Sequence, residues 1–267
     1  MIAADDFPVP GPEPREDARR LSVWLGGRTS LDEAVAASER LAWEVSEPSG
    51  RGPTLVLSEI VGAISIGRGG SRADVSLTDD ELRKEGAGVR FVGRGGGAVA
   101  HVEGQVAIGL HARLEDLGLP PDGVGCYLAR FQEALAGAIR TLRCSPVVRP
   151  GVHGVFGRSG LLAAVGVAVR RSVVSHGGFL NVCPSMRLVH RIRSTADGPM
   201  GSIEADLQRR ARPAEVRSAI VQSFADAFGF ARTNIHSGFP HGVPGKGVAG
   251  RSSVTGRNSG GGHRHAG

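Results

Sequence analysis

Arg94-Gly-Gly-Gly-Ala-Val-Ala-His101-Val-Glu-Gly104-Gln105 is the most telling segment of this 267-residue chain. Consecutive glycines raise the entropy of the unfolded chain, and a turn serving packing alone more often uses one glycine beside Asn or Asp. A backbone without side chains instead lets a ligand lie against it. Arg94 adds a fixed fork of donors suited to a carboxylate, phosphate or carbonyl oxygen, and His101 follows on the next strand or turn. The segment is neither a Walker loop nor a GxGxxG opening a helix, so its neighbours must decide its meaning.

Upstream, Thr54-Leu-Val-Leu-Ser58 and Ala63-Ile-Ser-Ile66 are short β-prone runs, the second ending in Gly67-Arg68-Gly69-Gly70, a second arginine framed by glycines. Ser30 caps a predicted helix with apolar positions Leu31, Val35, Leu41 and Val45 on one side, and Glu33 completes a capping box. Ser71 to Glu85 is polar and helix-tolerant. Val89-Arg-Phe-Val92 is a strand leading into the glycine segment, and Gln105 to Gly109 continues as another.

Downstream, Tyr127, Leu128, Phe131, Leu135, Ala138 and Leu142 recur at helical spacing and predict one long amphipathic helix over 122–142. Leu161 to Arg170 and Ser172 to Val182 are apolar runs of strand length, expected to be central strands joined at Arg170-Arg171, with a bulge at Gly177-Gly178. Pro213 opens a last helix carrying Val216, Ile220, Val221, Phe224 and Phe228. Three segments are expected: a flexible Pro-rich start over 1–20, one folded domain over 21–236, and a disordered Gly/Ser/Arg/His tail over 237–267. Two histidines in that tail, His263 and His265, offer too little preorganisation for a metal.

Composition narrows the function. The net charge of +6 suggests nucleic acid at first sight, but the only lysines are Lys84 and Lys246, arginines are dispersed, and aromatic residues are 4%. That is an arginine-for-lysine bias without stacking residues, so nucleic-acid binding is not expected. No apolar run reaches membrane length, and the acidic, proline-rich start is no secretion signal. Cys126, Cys144 and Cys183 are odd in number and lack CxxC spacing, which points to a reducing, cytoplasmic setting without structural zinc. Neither metal nor cofactor is expected.

In order, the chain offers Ile66-Gly-Arg68; Arg94, Gly95, Gly96, Ala98 and His101 with Gly104-Gln105; Ala163-Ala-Val-Gly166-Val; and His176-Gly177 with Asn181-Val182. This series resembles the lipoate-protein ligase B family, the octanoyl-acyl-carrier-protein:protein octanoyltransferases, over roughly 21–230. The resemblance implies an α+β fold of the lipoate and biotin ligase (class II synthetase) type, a curved mixed sheet with packed helices. It implies an octanoyl group accepted from acyl carrier protein and passed to lipoyl domains, with no cofactor and no metal. Residues carried over to the substrate site are Arg68, Arg94, Gly95, Gly96, Gly97, Ala98, Val99, Ala100, His101, Gly104, Gln105, Ala164, Val165, Gly166, His176, Gly177, Gly178 and Phe179.

The departures matter as much. Where the family usually has Thr-Tyr-His-Gly-Pro-Gly-Gln, this chain has Val99-Ala100-His101-Val102-Glu103-Gly104-Gln105, losing an aromatic wall and gaining a carboxylate. The family's reaction uses a cysteine nucleophile and a lysine that lowers the thiol pKa. The lysine position is Leu161. Counting on from Asn181-Val182 puts Thr195 at the cysteine position, whereas counting back from Ser202 puts Arg193 there. Neither register restores a thiol. Three readings follow: an acyl-binding member without the usual chemistry, acting as scaffold or subunit; an active transferase with a displaced nucleophile such as Cys183; or an ATP-using ligase, which the lost lysine disfavours. His101 and His176 are read either as base and carbonyl holder or as donors to nearby backbone, and Asn181 as structural.

Overall fold

The computed structural model describes residues 19–193 and 198–240. The expectations for most of the Pro-rich start, for Thr195, and for the tail with His263 and His265 fall outside the described residues.

The chain runs β1 (Arg20–Thr29), α1 (Leu31–Ser46), β2 (Thr54–Ile60), β3 (Ala63–Ile66), α2 (Asp79–Lys84), β4 (Gly88–Phe91), β5 (Ala98–His101), β6 (Gln105–Arg113) and α3 (Val124–Thr141). It continues through β7 (Val147–Val148), β8 (Gly154–Phe156), β9 (Leu161–Arg170), β10 (Val173–Asn181), α4 (Met186–Val189), α5 (Ile203–Leu207), α6 (Pro213–Phe228) and β11 (Arg232–Ser237). Eight strands form a mixed sheet in the order β11-β1-β2-β6-β10-β9-β8-β7, and β4-β3-β5 form a second, smaller sheet. This is the expected mixed sheet with packed helices.

Local signals explain the elements. Ser30 Oγ accepts from the Glu33 N–H at 3.2 Å, and Glu33 Oε2 accepts from the Ser30 N–H at 3.0 Å, so the capping box starts α1 as expected. Arg171 and Ser172 both have positive φ, 49° and 61°, which gives the two-residue β9/β10 hairpin the twist its strands require. The long helix is shorter than expected, and Cys144 lies beyond it.

Side-chain parity divides the large sheet into two working faces. Leu55, Leu57, Ile108, Leu110, Ala163, Val165, Val174 and Leu180 join the main core with Tyr127, Phe131, Phe224 and Phe228 of α3 and α6. The opposite positions, Val56, Ala107, Gly109, His111, Ala164 and Gly166, face α1 and the small sheet and surround a cavity. Burial on both faces is why β9 and β10 read as unbroken apolar runs.

Two expectations are corrected. Gly177 and Gly178 stay in register with both β6 and β9; the β6 ladder is interrupted instead at Ser175 and His176. His176 carries the left-handed φ of 62°, a conformation a non-glycine residue adopts at a cost. By parity His176 shares the core face with Val174 and Gly178, yet it lines the cavity, so the interruption turns the imidazole toward the site. Strand β1 and the edge strand β11, which pair in parallel, were not anticipated.

One core residue permits a stability prediction. The Tyr127 hydroxyl is buried without a hydrogen-bond partner, amid rings of Phe131 and Phe228 at 5.9 and 5.7 Å. Burial also raises its pKa, keeping it neutral. Because an unmade buried hydrogen bond costs about 1–3 kcal/mol, Tyr127→Phe is expected to stabilise the fold by about 1 kcal/mol, visible as a higher denaturant midpoint. A lower midpoint would mean that the hydroxyl has a hidden partner.

Candidate functional site

The cavity measures about 390 Å³ and lies between α1, the small sheet and the α1-facing side of β2, β6, β9 and β10. The glycine segment enters between β4 and β5 and folds over β9. The Gly95 N–H donates to the Val167 carbonyl at 2.8 Å, the Gly67 N–H to that of Gly97 at 3.1 Å, and the Gly69 N–H to that of Gly96 at 3.0 Å. Backbone bonds on both sides therefore fix the loop as a wall. Gly166 makes the close approach possible, since a β-carbon there would stand 2.8 Å from the Gly95 carbonyl oxygen.

Arg94 is the half-buried cation of this wall. Its Nη2 donates to Ser65 O at 3.0 Å and Ser65 Oγ at 2.7 Å, and its Nη1 to Gly95 O at 2.9 Å. Burial lowers its pKa to about 10, which still leaves it charged at neutral pH. Ser65 Oγ also meets His101 Nε2 at 2.7 Å. With two lone pairs and one hydrogen, Oγ can accept from Arg94 and bond the imidazole in either tautomer of the ring. Burial first and the Arg94 charge second push the His101 pKa down to about 3, so the ring is neutral.

The far wall carries a second pair that the sequence reading missed. Ser38 of α1 and His111 of β6 meet at 2.9 Å between Oγ and Nε2, and the His176 N–H donates to the same Oγ at 3.3 Å. Burial, then the neighbouring His176, brings His111 down to about 3; the Thr54 carbonyl acts in the opposite direction as a nearby dipole, though Nδ1 makes no hydrogen bond of proper geometry. Burial, followed by Arg94, Arg68 and Arg170, lowers His176 to about 4.

Of the residues anticipated, Arg94, Gly96, Gly97, Ala98, Val99, Ala100, His101, Gln105, Leu161, Ala164, Val165, Gly166, His176, Gly177, Gly178 and Phe179 line this one cavity. Arg68, Gly95, Gly104 and Cys183 are not part of its wall. Arg68 and Gly95 brace the loop from behind, through the Gly93 and Val167 carbonyls. Gly104, at φ 85°, clamps the end of β10: its carbonyl accepts from the Val182 and Cys183 N–H groups, both at 3.0 Å, and its own N–H donates to Glu59 Oε1 at 2.7 Å.

The Cys183 thiol is pushed up by burial and then by Glu204, Glu59 and Glu103, the reverse of what a thiolate nucleophile needs. Leu161 is 1% exposed and bridges to Met200, which also lines the cavity. Asn181 is fully buried, accepting from Gln105 Nε2 at 2.9 Å and donating to the Leu161 carbonyl at 3.3 Å, as a structural residue would. Among the described residues no helix is long and apolar enough to cross a membrane.

Comparison with known proteins agrees with this geometry. The lipoyl protein ligase A/B catalytic domain matches over residues 31–225. An octanoyltransferase of Geotalea uraniireducens is 32% identical over 207 residues, 76% of this chain and 92% of the relative. The fold is similar to lipoate-protein ligase A bound with ATP, with TM-score 0.64 at 15% identity over 81% of this chain and 88% of that one. It is also similar to the bipartite lipoate protein ligase of Thermoplasma acidophilum, described with its E2 lipoyl domain, with TM-score 0.60 at 15% identity over 82% and 86%. With the matched domain spanning both walls of the cavity, the chain belongs to the lipoyl protein ligase A/B catalytic domain family, as a divergent member on its octanoyltransferase branch.

Proposed function

We propose that the protein holds a medium-length acyl group, of the kind its octanoyltransferase relatives transfer, in the cavity beneath the glycine segment, and that it does not use a cysteine and lysine to move it. The observation carrying this reading is the cavity itself. A space of about 390 Å³ is within the range of ligand sites, and Leu161, Met200, Val189 and Ile192 furnish an apolar end. No cysteine lines it among the described residues. At the lysine position Leu161 supplies no charge to ionise a thiol, and a threonine at position 195 is scarcely ionised near neutral pH. Loss of a catalytic nucleophile costs on the order of 10⁶ in turnover, or about 8 kcal/mol of barrier.

The partners that fit are an octanoyl-loaded acyl carrier protein and a lipoyl domain, the protein acting in a reducing compartment where Cys126, Cys144 and Cys183 stay free. Octanoyl carrier protein is expected to bind measurably by calorimetry, whereas intact-mass analysis finds no octanoyl group on any cysteine. Leu161→Lys combined with Thr195→Cys is expected to gain transfer to a lipoyl domain, since the cavity is otherwise in place. Failure of wild type to bind either octanoyl carrier protein or a lipoyl domain sinks the reading; octanoyl on a cysteine replaces it with a displaced-thiol transferase.

A further inference from the structure

The segment that follows β11 reaches back to the cavity. β11 pairs with β1 as far as Ser237 opposite Leu25, and the His236 ring stacks on Trp24 with centroids 4.5 Å apart. Gly238 then takes a left-handed φ of 86°, and its N–H donates to the Leu25 carbonyl at 3.0 Å. This turn lays Phe239 across Gly26, where a β-carbon would stand 2.8 Å from the ring. Gly26 sits in an irregularity of the β1/β2 register, between Leu25 and Gly27. Pro240 is buried, and its carbonyl accepts from the Arg40 guanidinium of α1. Phe239 is thus laid on the sheet at one side and tied to the helix at the other, and it lines the cavity.

The strand order shows which end of the cavity this is. β9 and β1 are separated by β10, β6 and β2, four steps of about 4.8 Å, or about 19 Å across the sheet. Leu161 and Gln105 stand at the β9 end, joined through Asn181: Gln105 Nε2 donates to Asn181 Oδ1 at 2.9 Å, and Asn181 Nδ2 to Leu161 O at 3.3 Å. This is the end at which Leu161→Lys and Thr195→Cys would restore transfer, so the acyl carbonyl belongs here. The tail then runs beneath α1 over a floor of small residues, Ala164, Gly177, Ala107 and Gly109, toward Ser58 of β2. Ser58 pairs with Gly27, next to Gly26, so Phe239 stands at the far end of that path. Neither Ser58 nor Gly26 has a side chain large enough to close it, and the ring does so instead.

We propose that Phe239 is the end wall of the acyl site and sets the longest tail it admits. The proposal rests on the acyl-pocket reading above. A tail that stops short of the ring buries more apolar surface with each added methylene. One that reaches the ring must displace it, and the hydrogen bonds of Gly238 and Pro240 on either side hold it in place. Selection for length therefore lies in the segment after β11, far along the chain from the glycine wall that borders the same cavity.

The test is calorimetric titration of the full-length protein with N-acetyl-N′-acylethylenediamines, whose amide keeps the acyl carbonyl but cannot transfer, in hexanoyl, octanoyl, decanoyl and dodecanoyl lengths. Wild type should gain about fourfold in affinity per methylene up to a maximum and lose affinity with longer tails. Phe239→Ala should move that maximum to a longer tail, raising the ratio of dodecanoyl to octanoyl affinity at least about tenfold over wild type. Phe239→Leu should move it the same way by less, and Phe239→Trp toward shorter tails. Gly26→Ala alters no residue of the lining, yet it should shift the maximum too, because the ring must move. A maximum left in place in both Phe239→Ala and Phe239→Leu, or a wild-type affinity that climbs through dodecanoyl, overturns the proposal and leaves the acyl pocket standing. If wild type binds none of the lengths, pocket and end wall fall together.

Discussion

The protein is expected to lose several kcal/mol of stability between about pH 6.5 and about pH 4.5, a range in which most folded proteins change little. His101 and His111 have folded pKa values near about 3 and His176 near about 4, each lowered first by burial. In the unfolded chain each returns to about 6.5. Above that value both states are neutral and the histidines do not bear on stability. As pH falls below it, the unfolded chain takes up protons that the folded protein refuses, so stability declines until the folded values are reached.

Each histidine then costs about 1.4 kcal/mol per pH unit, or about 2–3 kcal/mol at about pH 4.5. Three of them approach the whole of a typical domain stability of about 5–15 kcal/mol. Arg94 contributes to the lowering of both His101 and His176, so charging either is opposed by a cation that cannot leave. Urea midpoints measured in steps from neutral to mildly acid pH should fall steadily from about pH 6.5, before most carboxylates titrate. His111→Gln should make that fall shallower by close to one proton. A midpoint unchanged down to about pH 5 would mean that these rings are hydrated and positively charged in the folded protein.

The same three histidines show where the sequence could and could not be read. The glycine segment was legible because three glycines beside an arginine have few structural uses, and the register then places His101 at the end of β5, opposite Ala63. β9 and β10 were legible because two buried faces leave no polar alternation. Ser38 was not: on an amphipathic helix a lone serine is indistinguishable from a spacer. His111 lay beyond Gly109, where the strand seemed to end, although the alternation Ala107, Gly109, His111 would have put it on the cavity face had β6 been extended to Arg113.

The β11–β1 end of the sheet was harder for a physical reason. Every residue of β11 is exposed, so burial imposes no period on Arg232 to Ser237. Its place is set by backbone pairing to β1, which leaves no mark on side-chain identity. β1 does alternate, with Leu21 and Val23 fully buried, but the signal is brief and follows a proline-rich start. The bulge was misplaced for the converse reason: Gly177 and Gly178 permit irregular backbone, yet a β-carbon on Gly177 would fall 1.9 Å from the Ile108 carbonyl oxygen, so its glycine serves a tight regular ladder.

Gly166→Ala is expected to cost about 3 kcal/mol of stability and to weaken acyl binding at least about tenfold. The new β-carbon would meet Gly95 O at 2.8 Å, Arg94 Nη1 at 3.2 Å and Arg94 Cδ at 3.4 Å. Retreat is blocked, because the Gly95 N–H is bonded to Val167 on the neighbouring position of the same strand and Arg94 is fastened to Ser65. Relief must break one of those bonds, and each leaves a polar group, one of them the half-buried charge of Arg94, with fewer partners. Gly88→Ala is the matched control: a β-carbon there meets nothing within 4 Å, and the change should stay within about 0.5 kcal/mol. If the glycine segment were only a turn, Gly166→Ala would lower the urea midpoint while the molecules still folded bound octanoyl carrier protein as tightly as before. If it is the wall of the acyl site, affinity must fall even where the variant is fully folded, since the displaced carbonyl and guanidinium move into the space that the acyl chain occupies.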